Sequence, residues 1–226
     1  MGEKLPVLSL TTATSTASVA VTEDTLVLAE LSFSGVRSHA ARLLPAVDYV
    51  LRQAGVERET LSTIVIGNGP GSFTGLRIGL SFAKGLAESL GLPLVLVPTL
   101  HGLAAQCELY AGHIVPLLDA RRDEYYAAVF KSDSRCLTRV TEDLAVKKSE
   151  LGEWLLSLGV EECLVTGDAA LGVSCGVPCL VAPPGVRTSR AGTLALLARH
   201  FPTTNPQEAR PNYIRSSSAR PKQGGI

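Results

Sequence analysis

No apolar run in this sequence approaches the length of a membrane span. Its longest, such as Leu92–Val97 and Leu194–Ala198, fall far short of the roughly 20 residues that a spanning helix requires. The opening Met1-Gly2-Glu3-Lys4-Leu5-Pro6 has no secretory apolar core, and Pro6 stands where a myristoylation signal wants Ser or Thr. A cytoplasmic location without a membrane partner is therefore expected. Cysteines are few and odd in number: Cys107, Cys136, Cys163, Cys175 and Cys179. Without an export signal they are expected to be reduced thiols filling the core. Cys175 and Cys179 lack the second pair or close His that a structural zinc needs. Histidine is scarce as well. His39, His101, His113 and His200 include no two placed as neighbours on one helical face, and Leu43 follows His39 at the fourth position. A His-x-x-x-His metallopeptidase site is absent, and no metal site is expected.

Neither sign of charge is in excess, with 21 basic and 21 acidic residues. The distribution is uneven, because Glu208 is the last acid and Arg210, Arg215, Arg220 and Lys222 follow it. Such a tail assists encounter with RNA or an acidic partner by charge attraction. A solvated end after Ser216-Ser217-Ser218 is the plainer reading, and residues 216–226 are expected to be mobile.

What the chain does have is apolar content: 46% of its 226 residues are hydrophobic and 19% charged, enough to bury one core or two small packed ones. Leu5–Thr11, Thr16–Thr22 and Thr25–Phe33 are β-rich runs separated by Thr/Ser or acidic turns, and they predict a meander. Ser38–Ala54 carries apolar residues at helical spacing before Gly55, and Pro45 either kinks that helix or marks its first turn. A strand at Leu61–Gly67, a helix at Phe73–Leu90 ahead of Gly91, and a strand at Pro93–Val97 complete a βββαβαβ order. A helical linker at Leu100–Tyr110 leads to a second round: strands at His113–Leu118, Glu124–Lys131 and Cys136–Val140, a helix at Ser149–Leu158, and a strand at Glu162–Thr166. A one-turn helix after Gly167, a strand at Pro178–Ala182 and a helix at Ser189–His200 follow. The expected fold is α/β, two duplicated mixed-sheet subdomains facing each other. Residues 1–101 form the first, joined by the tail 190–215, and residues 102–189 the second.

The segment Gly67-Asn68-Gly69-Pro70-Gly71-Ser72-Phe73-Thr74-Gly75 follows a strand and opens a helix, a geometry that suits an anion. Gly69, Gly71 and Ser72 are the candidate phosphate or nucleotide contacts. The segment lacks the Gly-Lys-Ser/Thr of a P-loop and the acid of a dinucleotide fingerprint. A tight turn with Ser72 as helix cap explains it equally well. Asp119-Ala120-Arg121-Arg122-Asp123-Glu124 concentrates charge between two strands and reads as a salt-bridged hairpin rather than a catalytic carboxylate pair. Asp168 is expected to cap a following helix.

Gly69-Pro-Gly-Ser-Phe-Thr-Gly-Leu-Arg-Ile-Gly79 resembles the signature of the TsaB family. Ser38-His39-Ala-Ala-Arg42-Leu-Leu-Pro45, Asp119-Ala-Arg-Arg-Asp-Glu-Tyr125, Thr166-Gly167-Asp168 and Pro211-Asn-Tyr-Ile-Arg215 resemble further family segments, in order along the chain. The resemblance implies the actin-like, sugar-kinase-like ATPase fold. It also implies a non-catalytic scaffold or activator without catalytic residues of its own. Its partners would be a TsaD-type catalytic homologue and a TsaE-type ATPase, which move threonylcarbamoyl to the tRNA adenosine next to the anticodon. Cofactors are expected to be absent from the isolated chain, with ATP or ADP and tRNA met in the complex. Where this fold superfamily opens with an Asp-Thr-Ser-Thr type turn, the chain has Thr11-Thr12-Ala13-Thr14, and a Thr hydroxyl cannot supply the charge that organises a cation beside a phosphate. Independent hydrolysis is not expected. The rival readings are a small-molecule kinase or ATPase of the same fold and a peptidase.

Gly75, Gly79, Ala83 and Ala87 recur every four positions and form one small-residue ridge. An interior helix glycine costs about 1 kcal/mol against alanine, so close packing is expected to offset it. The ridge is expected to meet the TsaD-type partner, or a second copy in a homodimer. The predicted partner-binding set is Leu43, Leu44, Val47, Val50 and Leu51 with Gly75, Leu76, Gly79, Ala83, Leu86 and Ala87, as in a four-helix contact. Packing of the ridge on the chain's own sheet is the alternative.

Overall fold

Thr, Val and Leu alternate with small residues through the first three strands, β1 (Val7–Thr11), β2 (Thr16–Glu23) and β3 (Leu26–Ser34), which pair antiparallel in sequence order. This computed structural model describes residues 5–35 and 39–214, without the side chain of His39. α1 (His39–Ala54) returns the chain so that β4 (Thr63–Gly67) lies parallel to β1, and α2 (Phe73–Leu90) does the same for β5 (Leu94–Val97) beside β4. α1 and α2 cover one face of this sheet: Leu8, Leu10, Ile64, Ile66 and Leu94 share a core with Leu43, Val50, Leu80 and Ala83. The intervening residues Val65, Val95 and Val97 face the other way. Both faces are thus buried, which is why β4 and β5 read as continuous apolar runs.

After α3 (Thr99–Ala105) the second round begins with β6 (Gly112–Arg121). β7 (Glu124–Ala127) and β8 (Phe130–Ser132) run antiparallel to it in one shared register, Leu117 opposite Ala127 and Ile114 opposite Phe130. That register sets Pro116 across from Ala128, where a missing N–H interrupts the ladder. β9 (Leu137–Arg139) pairs with β8, and β10 (Leu144–Lys147) with β7, as two halves of a third strand. α4 (Leu151–Ser157), β11 (Cys163–Thr166), β12 (Cys179–Val181) and α5 (Ala191–Leu197) follow, and β13 (Thr203–Thr204) adds to the edge of β5. α5 lays Leu194 against Val65, Val95 and Val97. The two sheets have orders β3-β2-β1-β4-β5 and β10-β7-β6-β11-β12, each with an antiparallel meander followed by two parallel strands. This duplicated order is the actin-like fold expected from the sequence.

The differences from the sequence reading have local causes. α1 passes through Pro45 instead of starting there. Turns, not a one-turn helix, follow Gly167. Asp168 therefore has no helix to cap, and its carboxylate accepts the Asp119 N–H at 3.3 Å. The expected strand Cys136–Val140 is only the first half of the third strand, and β10 was not anticipated. Arg215 and residues 216–226, for which order and mobility were respectively expected, lie outside the described residues, as does Ser38.

Candidate functional site

The glycine-rich segment joins β4 to α2. Ser72 caps that helix, its Oγ accepting the Gly75 N–H at 3.3 Å, and Gly91 ends it at φ +67°. The glycines are explained by close packing. A Cβ on Gly71 would lie 2.2 Å from the carbonyl oxygen of Ala13, and one on Gly69 would lie 2.7 Å from that of Asn212. The Ser72 N–H donates to the Ala13 carbonyl at 2.7 Å, so this amide of the helix start is already used. Two carbonyl oxygens thus press against Gly69 and Gly71, and this clasp accounts for both glycines without a phosphate. Thr11, at the end of β1, and Thr12, in the turn that faces this loop, are buried, and Thr12 Oγ1 donates to the Gly75 carbonyl at 2.7 Å.

The small-residue ridge of α2 is internal. A Cβ on Gly75 would meet the Thr12 carbonyl oxygen at 2.1 Å, and one on Gly79 would meet Thr12 Oγ1 at 2.2 Å. Ala83 and Ala87 are fully buried in the first core. The close partner of the ridge is the chain's own β1–β2 turn and sheet, which corrects the expectation of an intermolecular contact there. Leu43, Val47, Val50 and Leu51 are buried in the same core, and Leu76 is buried against the loop at Gly69. Of the predicted set, Leu44 is 53% exposed and Leu86 half-buried. On the outer surface α1 also carries Tyr49, 46% exposed and on the flank nearer β3, and α2 the half-buried Ile78 and Phe82. Ile78, Phe82 and Leu86 recur every four residues, so they form one apolar stripe on α2.

The hairpin Asp119–Glu124 is salt-bridged as anticipated, with Asp119 3.6 Å from Arg121 and 3.8 Å from Lys148. Arg121, Arg122 and Asp123 all have positive φ, between 52° and 63°. Among the described residues no group of three metal-ligating side chains could hold an ion.

A further seam forms where the returning tail crosses the loop. Asn212 donates its backbone N–H to the Asn68 carbonyl at 2.7 Å and its side-chain amide to Asp143 Oδ2 at 3.1 Å. Asp143, whose side chain is 6% exposed, also pairs with Arg139 at 2.7 Å. Burial pushes its carboxyl above the ordinary range, and the Arg139 partnership offsets part of that rise. These residues line a pocket of about 290 Å³ with Pro98, Glu142, Phe201 and Ile214. His101 packs edge-on to Phe130 and Phe201, and burial, with Arg139 and His200 nearby, lowers it to about 4. The only sequence signal for the seam was the Pro211–Arg215 motif. Its partners in the bulge between β9 and β10 lie about 70 residues away, and no local pattern encodes that pairing.

The family model described as "TsaD: tRNA N6-adenosine threonylcarbamoyltransferase" matches residues 27–167. The tRNA threonylcarbamoyladenosine biosynthesis protein TsaB of Bacillus subtilis strain 168 is 35% identical over 151 residues, 67% of this chain. That match spans 65% of the relative's length. Its Escherichia coli K12 namesake is 35% identical over 160 residues, covering 66% of this chain and 69% of its own. A crystal structure from Pseudomonas aeruginosa, described as an uncharacterised protein with similarity to peptidase YeaZ, superposes with a TM-score of 0.78 at 25% identity, covering 93% of this chain and all of that one. Sequence, coverage and fold agree, and the chain belongs to the TsaB/YeaZ family, related to the TsaD transferases whose model it matches.

Proposed function

We propose that the chain is an accessory subunit in tRNA threonylcarbamoyladenosine biosynthesis. It binds a TsaD-type catalytic homologue, and the pair, with a TsaE-type ATPase and ATP, carries threonylcarbamoyl to the tRNA adenosine next to the anticodon. The observation that carries this reading is the 35% identity to two proteins named for that biosynthesis. Further support comes from the loop chemistry: Thr11 stands where an acid would hold a cation, and the Ala13 and Asn212 carbonyls press against the glycines of the loop. Nucleotide is accordingly met in the complex rather than by this chain alone.

The docking face in this proposal is the outer surface of α1 and α2. Leu44 on α1 is exposed, and the half-buried Ile78, Phe82 and Leu86 form an apolar stripe on α2, the kind of apolar, aromatic patch that supplies the core of an interface. The same face serves a homodimer when the partner is absent. Leu44→Glu tests it. Co-purification with the TsaD-type homologue is expected to be lost while the melting temperature stays within about a degree or two, because exposed substitutions usually shift stability by no more than ~0.5 kcal/mol. Retained binding by a folded Leu44→Glu chain would reject this face.

A further inference from the structure

A second surface lies on the other flank of α2, and its chemistry differs from that of the docking face. Phe73, Arg77 and Lys84 fall within about 40° of one another around the helix at about 100° per residue, away from the Ile78–Phe82–Leu86 stripe. The tail lies along this flank. Tyr213 stacks on Phe73 with centroids 5.1 Å apart and an interplanar angle of 31°. Its hydroxyl accepts from Arg77 Nε at 3.1 Å, and the Arg77 guanidinium sits 3.9 Å from the Phe73 ring centre. Phe73 and Tyr213 are 36% and 37% exposed.

Farther along, Lys84 and Arg210 converge on the same two acceptors. Lys84 Nζ lies 3.4 Å from the Gln207 carbonyl and 3.5 Å from that of Ala209, and Arg210 Nη1 donates to those carbonyls at 2.6 and 3.0 Å. Two cations therefore share one spot, and among the described residues none of Arg77, Lys84 and Arg210 has a carboxylate partner. The acids nearest in sequence are Glu88, one turn beyond Lys84, and Glu208. Like charges held together without a counter-ion favour an incoming anion. Exposed rings held rigidly beside them add a stacking platform.

We infer that this flank binds the unpaired loop of an RNA, with Arg77, Lys84 and Arg210 on its phosphates and Tyr213, backed by Phe73, under one base. The inference rests on the proposed role in tRNA modification and names the face that meets the RNA. An acidic protein would satisfy the cations but leave the stacked rings unused, so RNA is the occupant that accounts for both.

The test is fluorescence anisotropy of the isolated chain with a labelled RNA hairpin carrying an unpaired loop. A blunt duplex of equal length and polyglutamate serve as competing probes. Three cations on a single strand predict a slope of log affinity against log salt of about −2, falling to about −0.7 in the Arg77→Gln/Arg210→Gln double variant. Tyr213→Ala is expected to weaken hairpin binding roughly 5- to 150-fold, the range for losing one base stack, while Tyr213→Phe retains it. Because Arg77 and Arg210 also bond the tail, limited proteolysis of each variant accompanies the binding curves, and retained hairpin binding by Tyr213→Phe separates loss of the stack from a loosened tail. Absence of hairpin binding, binding unchanged in the double variant, or preference for the duplex or polyglutamate would overturn the proposal. Co-purification of the same variants with the TsaD-type homologue separates the two ideas, because loss of RNA binding with partner binding intact leaves the accessory role standing.

Discussion

Replacing Gly79 with alanine puts one methyl group into the tightest part of the α2 contact. The new Cβ would lie 2.2 Å from Thr12 Oγ1 and 3.4 Å from Ile66 Cδ1. The hydroxyl cannot simply swing away, because it donates to the Gly75 carbonyl at 2.7 Å inside the core. Overpacking of this kind costs about 1–3 kcal/mol, and breaking the Thr12 bond costs about 1 more. The helix recovers about 1 kcal/mol from losing an interior glycine. The net loss is then about 1–3 kcal/mol, or a fall in melting temperature of roughly 2–12 °C at the ~2–4 °C per kcal/mol expected for a chain of this length. Urea unfolding checks it: the midpoint should drop with the slope unchanged. Thr12→Ala removes the clashing oxygen, so the double variant is expected to be less unstable than the two single losses added together, by at least about 0.5 kcal/mol. If Gly79→Ala raises the melting temperature, as helix propensity alone would dictate, or if the cycle is additive, the internal reading of the ridge is refuted. Gly79→Leu is expected to unfold the chain outright.

Gly71→Ala is expected to destabilise more than Gly79→Ala, because its Cβ would meet the backbone oxygen of Ala13 at 2.2 Å and φ is +159°; a melting temperature within a degree of the parent would contradict this. His101 titrates at about 4 in the fold against an ordinary 6.5, so its contribution to stability is full above about 6.5 and is lost as pH falls toward 4. His101→Asn should flatten that acid limb in melting curves recorded across this window, and an unchanged limb would count against the burial argument. Asp143→Asn leaves Arg139 without its counter-charge, while the Arg139 Nη2 atom is already buried without a partner. A loss of about 1–2 kcal/mol is expected by urea titration, since Arg139 keeps some solvent contact.

The sequence made α2 legible to the residue, because Ser72 and Gly91 mark both ends with side-chain and backbone chemistry that acts locally. The meanders were legible through their turns, and the repeated element order anticipated two sheets of one topology. The break between β7 and β8 was not, because its cause, Pro116, sits on the neighbouring strand. For the candidate site, spacing correctly grouped Gly75, Gly79, Ala83 and Ala87 on one face of the helix. It could not tell a face turned toward a partner from one turned toward Thr12, because both demand small residues. Leu44 and Leu86 fell within the same predicted set, yet their exposure depends on which side of α1 and α2 the sheet occupies. The bridge from Asn212, inside a recognised motif, to Asp143 and Arg139 leaves no sequence signal, since a buried bridge between distant segments leaves no periodic trace in either.

Reconstituted tRNA modification bears most directly on the accessory role. Threonylcarbamoyladenosine formation is measured with the TsaD-type homologue, the TsaE-type ATPase, ATP and tRNA, with and without this chain, alongside phosphate release by the chain alone with magnesium. Product is expected only when the chain is present and not with Leu44→Glu, and the isolated chain is expected to release no phosphate. Product formed equally well without the chain, or steady hydrolysis by the chain alone, would contradict the accessory role.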